Sequence, residues 1–79
     1  MKIELKLYAS FSRYRPPEVD GEPGMVDVRG GITIKGLLKE LSIPPDAVKI
    51  MFLNGLHAKG DEVLQEGDRL GVFPPVAGG

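Results

Sequence analysis

The sequence contains no cysteine and a single histidine, His57. The first absence excludes disulfides, thiolate zinc sites and a cysteine nucleophile, and the second leaves one imidazole for any acid–base or metal chemistry. A chain without cysteine fits a reducing compartment. No apolar run approaches the roughly 18 residues of a membrane span, and the first residues alternate Lys and Glu with apolar side chains, unlike a secretory signal. These features predict a soluble, cytoplasmic protein with no membrane partner. Neither sign of charge dominates: ten Lys plus Arg against eleven Asp plus Glu give a net charge of -1, which argues against a nucleic-acid partner. At 79 residues the chain has room for one small core, and its stability must come from packing alone.

What is present is organised by punctuation. The eleven Gly and seven Pro cluster between periodic segments rather than spreading evenly, so they separate elements. Residues 3 to 9 alternate, with Ile3, Leu5, Leu7 and Ala9 on one face and Lys2, Glu4, Lys6 and Tyr8 on the other, which predicts a half-buried strand. Residues 10 to 24 read as loop, with room for one helical turn over Ser10 to Tyr14 before Pro16 and Pro17 stop it. Val26 and Val28 mark a second short strand. Ile34, Leu37, Leu38 and Leu41 then form the stripe of an amphipathic helix, with Thr33 as N-cap, Pro44 and Pro45 as the stop, and Gly36 as an unexplained interior glycine. Val48 to Leu53 reads as a central strand with Val48, Ile50 and Phe52 on one face. Asn54-Gly55 predicts a type I′ hairpin turn into a return strand over Leu56 to Lys59. Glu66-Gly67-Asp68 marks another turn, and Arg69 to Phe73 is a last strand ended by Pro74 and Pro75. The order predicts an α+β fold of the β-grasp type, a mixed sheet of about five strands packed on one main helix, with a generic α+β sandwich as the alternative.

Searches for catalytic motifs return nothing: there is no HExxH, no phosphate-loop GxxxxGK[ST] and no Ser-His-Asp arrangement. Gly30-Gly31 before the helix reads as a turn rather than a phosphate cradle, and His57 as a solvent-facing edge residue. Arg13, Arg15, Lys35, Lys39 and Lys49 read as solvated surface. The informative segment is the ending, Phe73-Pro74-Pro75-Val76-Ala77-Gly78-Gly79. The prolines fix φ near −65° and hold Phe73 extended, so residues beyond Phe73 depart stiffly and reach about 20 Å at roughly 3.3–3.6 Å each. The tip carries no side chains and suits a channel too narrow for any other residue. This divides the chain into a folded part, residues 1–73, and a flexible diglycine tail, residues 74–79.

Residues 64 to 79, LQEGDRLGVFPPVAGG, resemble the C-terminal signature of the MoaD/ThiS family of ubiquitin-like sulfur carriers, and FPPVAGG is most similar to the molybdopterin synthase branch. Asn54-Gly55, the helix stripe and the opening strand with Tyr8-Ala9-Ser10-Phe11-Ser12-Arg13 fit the same family, while the Pro-rich stretch 16–24 departs from its usual longer helix. The resemblance implies a carrier without activity of its own and with no bound cofactor or metal. A ubiquitin-activating-type adenylating enzyme consumes ATP to form an acyl-adenylate on Gly79, and a sulfur donor converts it to a thiocarboxylate. The tail, Phe73, Pro74, Pro75, Val76, Ala77 and Gly78, then meets the molybdopterin synthase large subunit, where the sulfur enters a pterin precursor of the molybdenum or tungsten cofactor. Activation is chemically necessary, because a terminal carboxylate with a pKa near about 3.5 is ionised and a poor electrophile at neutral pH. Phe73 is expected to anchor the partner rather than the core. The thiamine pathway or another thiocarboxylate-dependent pathway, a ubiquitin-like modifier joined through Gly79 to lysines, and a passive interaction domain remain as alternatives.

Overall fold

A computed structural model describes residues 1–17 and 21–75. The alternation that opens the chain forms strand β1, Lys2–Leu7. It stops at Tyr8 because Ala9 turns into the left-handed region at φ 50° and starts a 3-10 helix, Ala9–Tyr14, which tucks Phe11 into the core. Strand β2, Met25–Asp27, returns antiparallel to β1, with Ile3 opposite Val26. Helix α1 spans Ile34–Glu40 and begins as the sequence requires, with the Thr33 hydroxyl accepting the Gly36 N–H at 3.1 Å. Gly36 now has a reason: a Cβ there would lie 3.2 Å from both that hydroxyl and the Ile32 side chain, crowding the cap.

The helix ends one turn before Pro44. Ser42 adopts φ 65°, the Ser42 N–H donates to the Lys39 carbonyl and the Ile43 N–H to the Leu38 carbonyl, and Ile43 is buried beneath them. This is a Schellman closure with serine in the position usually held by glycine. A second 3-10 turn, Pro45–Ala47, leads to β3, Ile50–Leu53; the hairpin to β4, Leu56–His57, passes through Asn54 at φ 54° and Gly55 at φ 83°, as Asn-Gly predicts. Strand β5 is Arg69–Phe73.

The five strands lie in the order β2-β1-β5-β3-β4, with β1 and β5 parallel and the other pairs antiparallel. This mixed sheet and its one main helix are the β-grasp arrangement. One expectation fails: residues 48–53 do not form the central strand. Val48 closes the preceding 3-10 turn through the Pro45 carbonyl, so β3 starts late and lies second from the edge, while β5 takes the centre. Its inward residues are Met51 and Leu53, which pack on the core, rather than Ile50 and Phe52.

The core lies between α1 and one sheet face. Ile34, Leu37 and Leu38 of the helix meet Ile3, Leu5 and Leu7 of β1 and Leu70 and Val72 of β5 in one apolar cluster. Each such side chain, fully enclosed, stabilises the fold by about 1.5–3 kcal/mol of transfer energy. The helix start is held from below by residues 60–62: the Ile34 and Lys35 N–H groups donate to the Glu62 and Gly60 carbonyls at 3.1 and 2.8 Å. Among the described residues no helix is long and apolar enough to cross a membrane.

Candidate functional site

Everything the sequence singles out converges on β5, so its two ends and its open face define the site. Its start is pinned by the Glu66-Gly67-Asp68 turn, in which Gly67 has φ 83° and the Asp68 carboxylate accepts the Gln65 N–H at 2.7 Å. Asn54 ties that turn to the β3–β4 hairpin: its amide donates to Asp68 Oδ1 at 2.9 Å and its oxygen accepts the Arg69 N–H at 2.9 Å. The Gly-Asp pair of the C-terminal signature thus fixes where the last strand begins. At the other end, the Phe73 carbonyl accepts the Lys49 N–H at 2.8 Å, and Ile50 lies opposite Phe73 in the ladder. Ladder pairing stops there, because Pro74 has no N–H to offer.

Alternation sends Leu70 and Val72 inward and turns Gly71 and Phe73 to the open face. There the Phe73 ring stacks on Tyr8 with centroids 4.0 Å apart and planes 4° off parallel, and the edge of Phe52 meets Phe73 at 6.0 Å. His57 on β4 meets Phe52 at 5.8 Å. Gly71 lies beneath this cluster: a Cβ there would be 3.4 Å from the Tyr8 ring. A methyl group would just touch the rings there, and the face holds a groove of about 220 Å³ whose rim carries Glu4, Lys6 and Arg69.

Phe73 is therefore outside the core but half-buried by its aromatic neighbours, Pro74 is half-buried and Pro75 exposed. The remaining site residues, Val76, Ala77, Gly78 and Gly79, lie outside the described residues. The sequence reading missed Tyr8 and Phe52. Tyr8 was detectable as the one aromatic on the charged side of the opening alternation, just past β1; Phe52 was obscured because β3 is apolar on both sides. His57 is exposed on the edge strand and Gly30-Gly31 is a turn, as expected.

Among the described residues no polar side chain is buried, and no three His, Asp or Glu side chains converge on a point where a metal would bind. The chemical capacity of the arrangement is to bind through an apolar, charge-rimmed sheet face that ends at Phe73 and Pro74.

Residues 18–79 match the ThiS family. No curated protein sequence matches the chain. Among solved structures, SAMP1 of Haloferax volcanii is 26% identical over 100% of both chains with a TM-score of 0.65. A putative molybdopterin converting factor subunit 1 of Pyrococcus furiosus is 27% identical, covering 95% of this chain and 98% of its own, also with a TM-score of 0.65. A complex of subunits 1 and 2 of the molybdopterin-converting factor of Helicobacter pylori, 19% identical over 100% of both chains with a TM-score of 0.58, shares the fold.

Proposed function

This chain belongs to the ThiS family, and from that premise we propose that it carries sulfur as a thiocarboxylate on Gly79 for molybdopterin biosynthesis. The observation that carries the reading is that the family match, residues 18–79, takes in β5, the two prolines and Gly78-Gly79. In the proposed sequence, a carboxylate oxygen of Gly79 attacks the α-phosphorus of ATP on an adenylating enzyme and pyrophosphate leaves. A sulfide-level nucleophile from a sulfur donor then attacks the acyl carbon and AMP departs, leaving sulfur in place of one carboxyl oxygen. The domain supplies no catalytic side chain to either step. It supplies orientation: a strand held on both sides and two prolines that narrow the directions in which the reactive carbon can travel. The proposed use of ATP and the absence of cysteine both suit a cytoplasmic setting.

The molybdopterin branch is favoured by the FPPVAGG ending and by the likeness to the Pyrococcus furiosus subunit. The likeness to SAMP1 favours a second reading, in which the activated Gly79 is transferred to a lysine amine and an isopeptide bond forms. Incubation with an adenylating enzyme of the family, ATP and a sulfur donor, followed by intact mass spectrometry, separates the two. The carrier gains the mass difference between sulfur and oxygen at the C-terminal carboxyl; lysine-linked adducts without that gain identify a modifier. Deletion of Gly79 should abolish sulfur gain and leave the melting temperature unchanged. Sulfur incorporated by the deleted chain overturns the assignment of Gly79. Transfer of the incorporated sulfur to a pterin precursor by a molybdopterin synthase large subunit then tests the branch.

A further inference from the structure

The flank where α1 meets β3 and β4 holds a second groove, away from the Tyr8–Phe73 cluster. Two adjoining depressions of about 420 and 500 Å³ share Lys35, Leu38 and Pro45. Their floor is apolar, formed by Leu38, Ile43, Pro45, Val48 and Ala58. Their rim is cationic. Lys35, Lys39, Lys49 and Lys59, four of the six lysines in the sequence, line the groove, and no Asp or Glu does.

This concentration is notable in a chain with a net charge of -1. Among the described residues none of the four lysines takes part in an ion pair. Glu62 feels the charge of Lys59, but its carboxylate is occupied by the Lys59 and Gly60 N–H groups. Four ammonium groups around one apolar floor repel each other, and an occupant that brings both carboxylates and apolar side chains relieves that repulsion while burying the floor.

We propose that this groove is a docking site for an acidic amphipathic segment of a partner protein, with the segment's apolar side chains on Leu38, Ile43 and Val48 and its carboxylates on the lysine rim. Nucleic acid fits less well, since the lining holds no Phe, Tyr or Trp on which bases stack. A lipid surface fits less well because the apolar atoms lie in a concavity between the charges. The inference does not depend on the carrier chemistry of Gly79.

The test titrates the full, isotope-labelled chain with a synthetic helix-forming peptide bearing leucine at i, i+3, i+4 and i+7 and glutamate elsewhere. Amide shifts should saturate at Leu38, Lys39, Ile43, Lys49 and Ala58. A peptide with lysine in place of glutamate, or glutamine in place of leucine, should not bind. Lys39→Glu combined with Lys49→Glu should weaken binding by roughly tenfold or more, as should raising salt to about 1 M, where the Debye length is about 3 Å. Both lysines are exposed, and an unchanged amide spectrum away from the substitutions will show that the variant is folded. Equal binding of the acidic and basic peptides, shifts confined to the Tyr8–Phe73 face, an undiminished affinity in the folded double variant, or preferential binding to phosphatidylserine vesicles would each overturn the proposal.

Discussion

The two faces of β5 differ in everything except their backbone. On the inner face Leu70 and Val72 are 1% and 0% exposed and lie in the cluster beneath α1. On the outer face Gly71 has no side chain and Phe73 leans on Tyr8 in a solvent-open groove. Because the pleat alternates, one strand both closes the core and lines an open groove, and a shift of register by one residue would exchange the two faces. Substitutions on either face therefore ought to separate stability from binding.

The largest expected effect is on the inner face. Leu70→Ala removes most of a fully buried side chain from the central strand, and a loss of about 2–5 kcal/mol is expected, read as a fall of many degrees in the melting temperature. Sulfur gain at a temperature where the variant stays folded should persist. A melting temperature within a degree or so of the parent would break the comparison.

Phe73→Ala should behave the opposite way. It forfeits ring contacts worth about 0.5–1.5 kcal/mol, a small fall in melting temperature, while under the proposed function affinity for an adenylating enzyme or a molybdopterin synthase large subunit should drop further. If the thermal loss equals that of Leu70→Ala, the outer face is scaffold as well.

The smallest effect is expected at Glu62. The backbone N–H groups of Lys59 and Gly60 hold its carboxyl below the ordinary value of 4.5. The depressed value means that the ionised carboxylate favours the folded state at neutral pH. That contribution is lost as the pH falls below about 4.5 and through the lower folded-state value. Glu62→Gln should melt slightly earlier than the parent at pH 7, with the gap closing in strongly acidic buffer. A gap that widens on acidification contradicts the hydrogen-bond geometry at the helix start.

Much of this was legible where a residue has one physical job. Thr33 before a helical stripe, Asn54-Gly55 between strands and the alternation of β1 each announced their structure; the first two stand as read, while the alternation, read through Ala9, holds only to Leu7, because Ala9 turns left-handed into the 3-10 helix. The ending around Phe73 and Pro74 likewise drew attention to β5 before any geometry was known. The reading failed where two environments use the same side-chain types. Residues 50–53, Ile-Met-Phe-Leu, are apolar at every position, so periodicity did not reveal that Met51 and Leu53 face the core while Phe52 joins the open aromatic face. Ser42 in a left-handed conformation gave no sequence signal, since glycine is the residue that usually marks that place. The lysine-rimmed groove was equally hidden: Lys35, Lys39, Lys49 and Lys59 are scattered along the chain and meet only when α1 packs against β3 and β4.

The parallel pairing of β1 with β5 joins residues 4–7 to residues 69–72 in the middle of the sheet. Contacts of such long sequence separation are late and slow to form, because nearly the whole chain must be closed into a loop before they contribute. During synthesis, residues 2–7 therefore wait for a neighbour that is translated more than 60 residues later. Until residues 69–73 leave the ribosome, the sheet is split, with β1 and β2 on one side and β3 and β4 on the other. A chain caught at that stage has Tyr8 without the Phe73 ring that stacks on it, so the aromatic face is completed only together with the sheet.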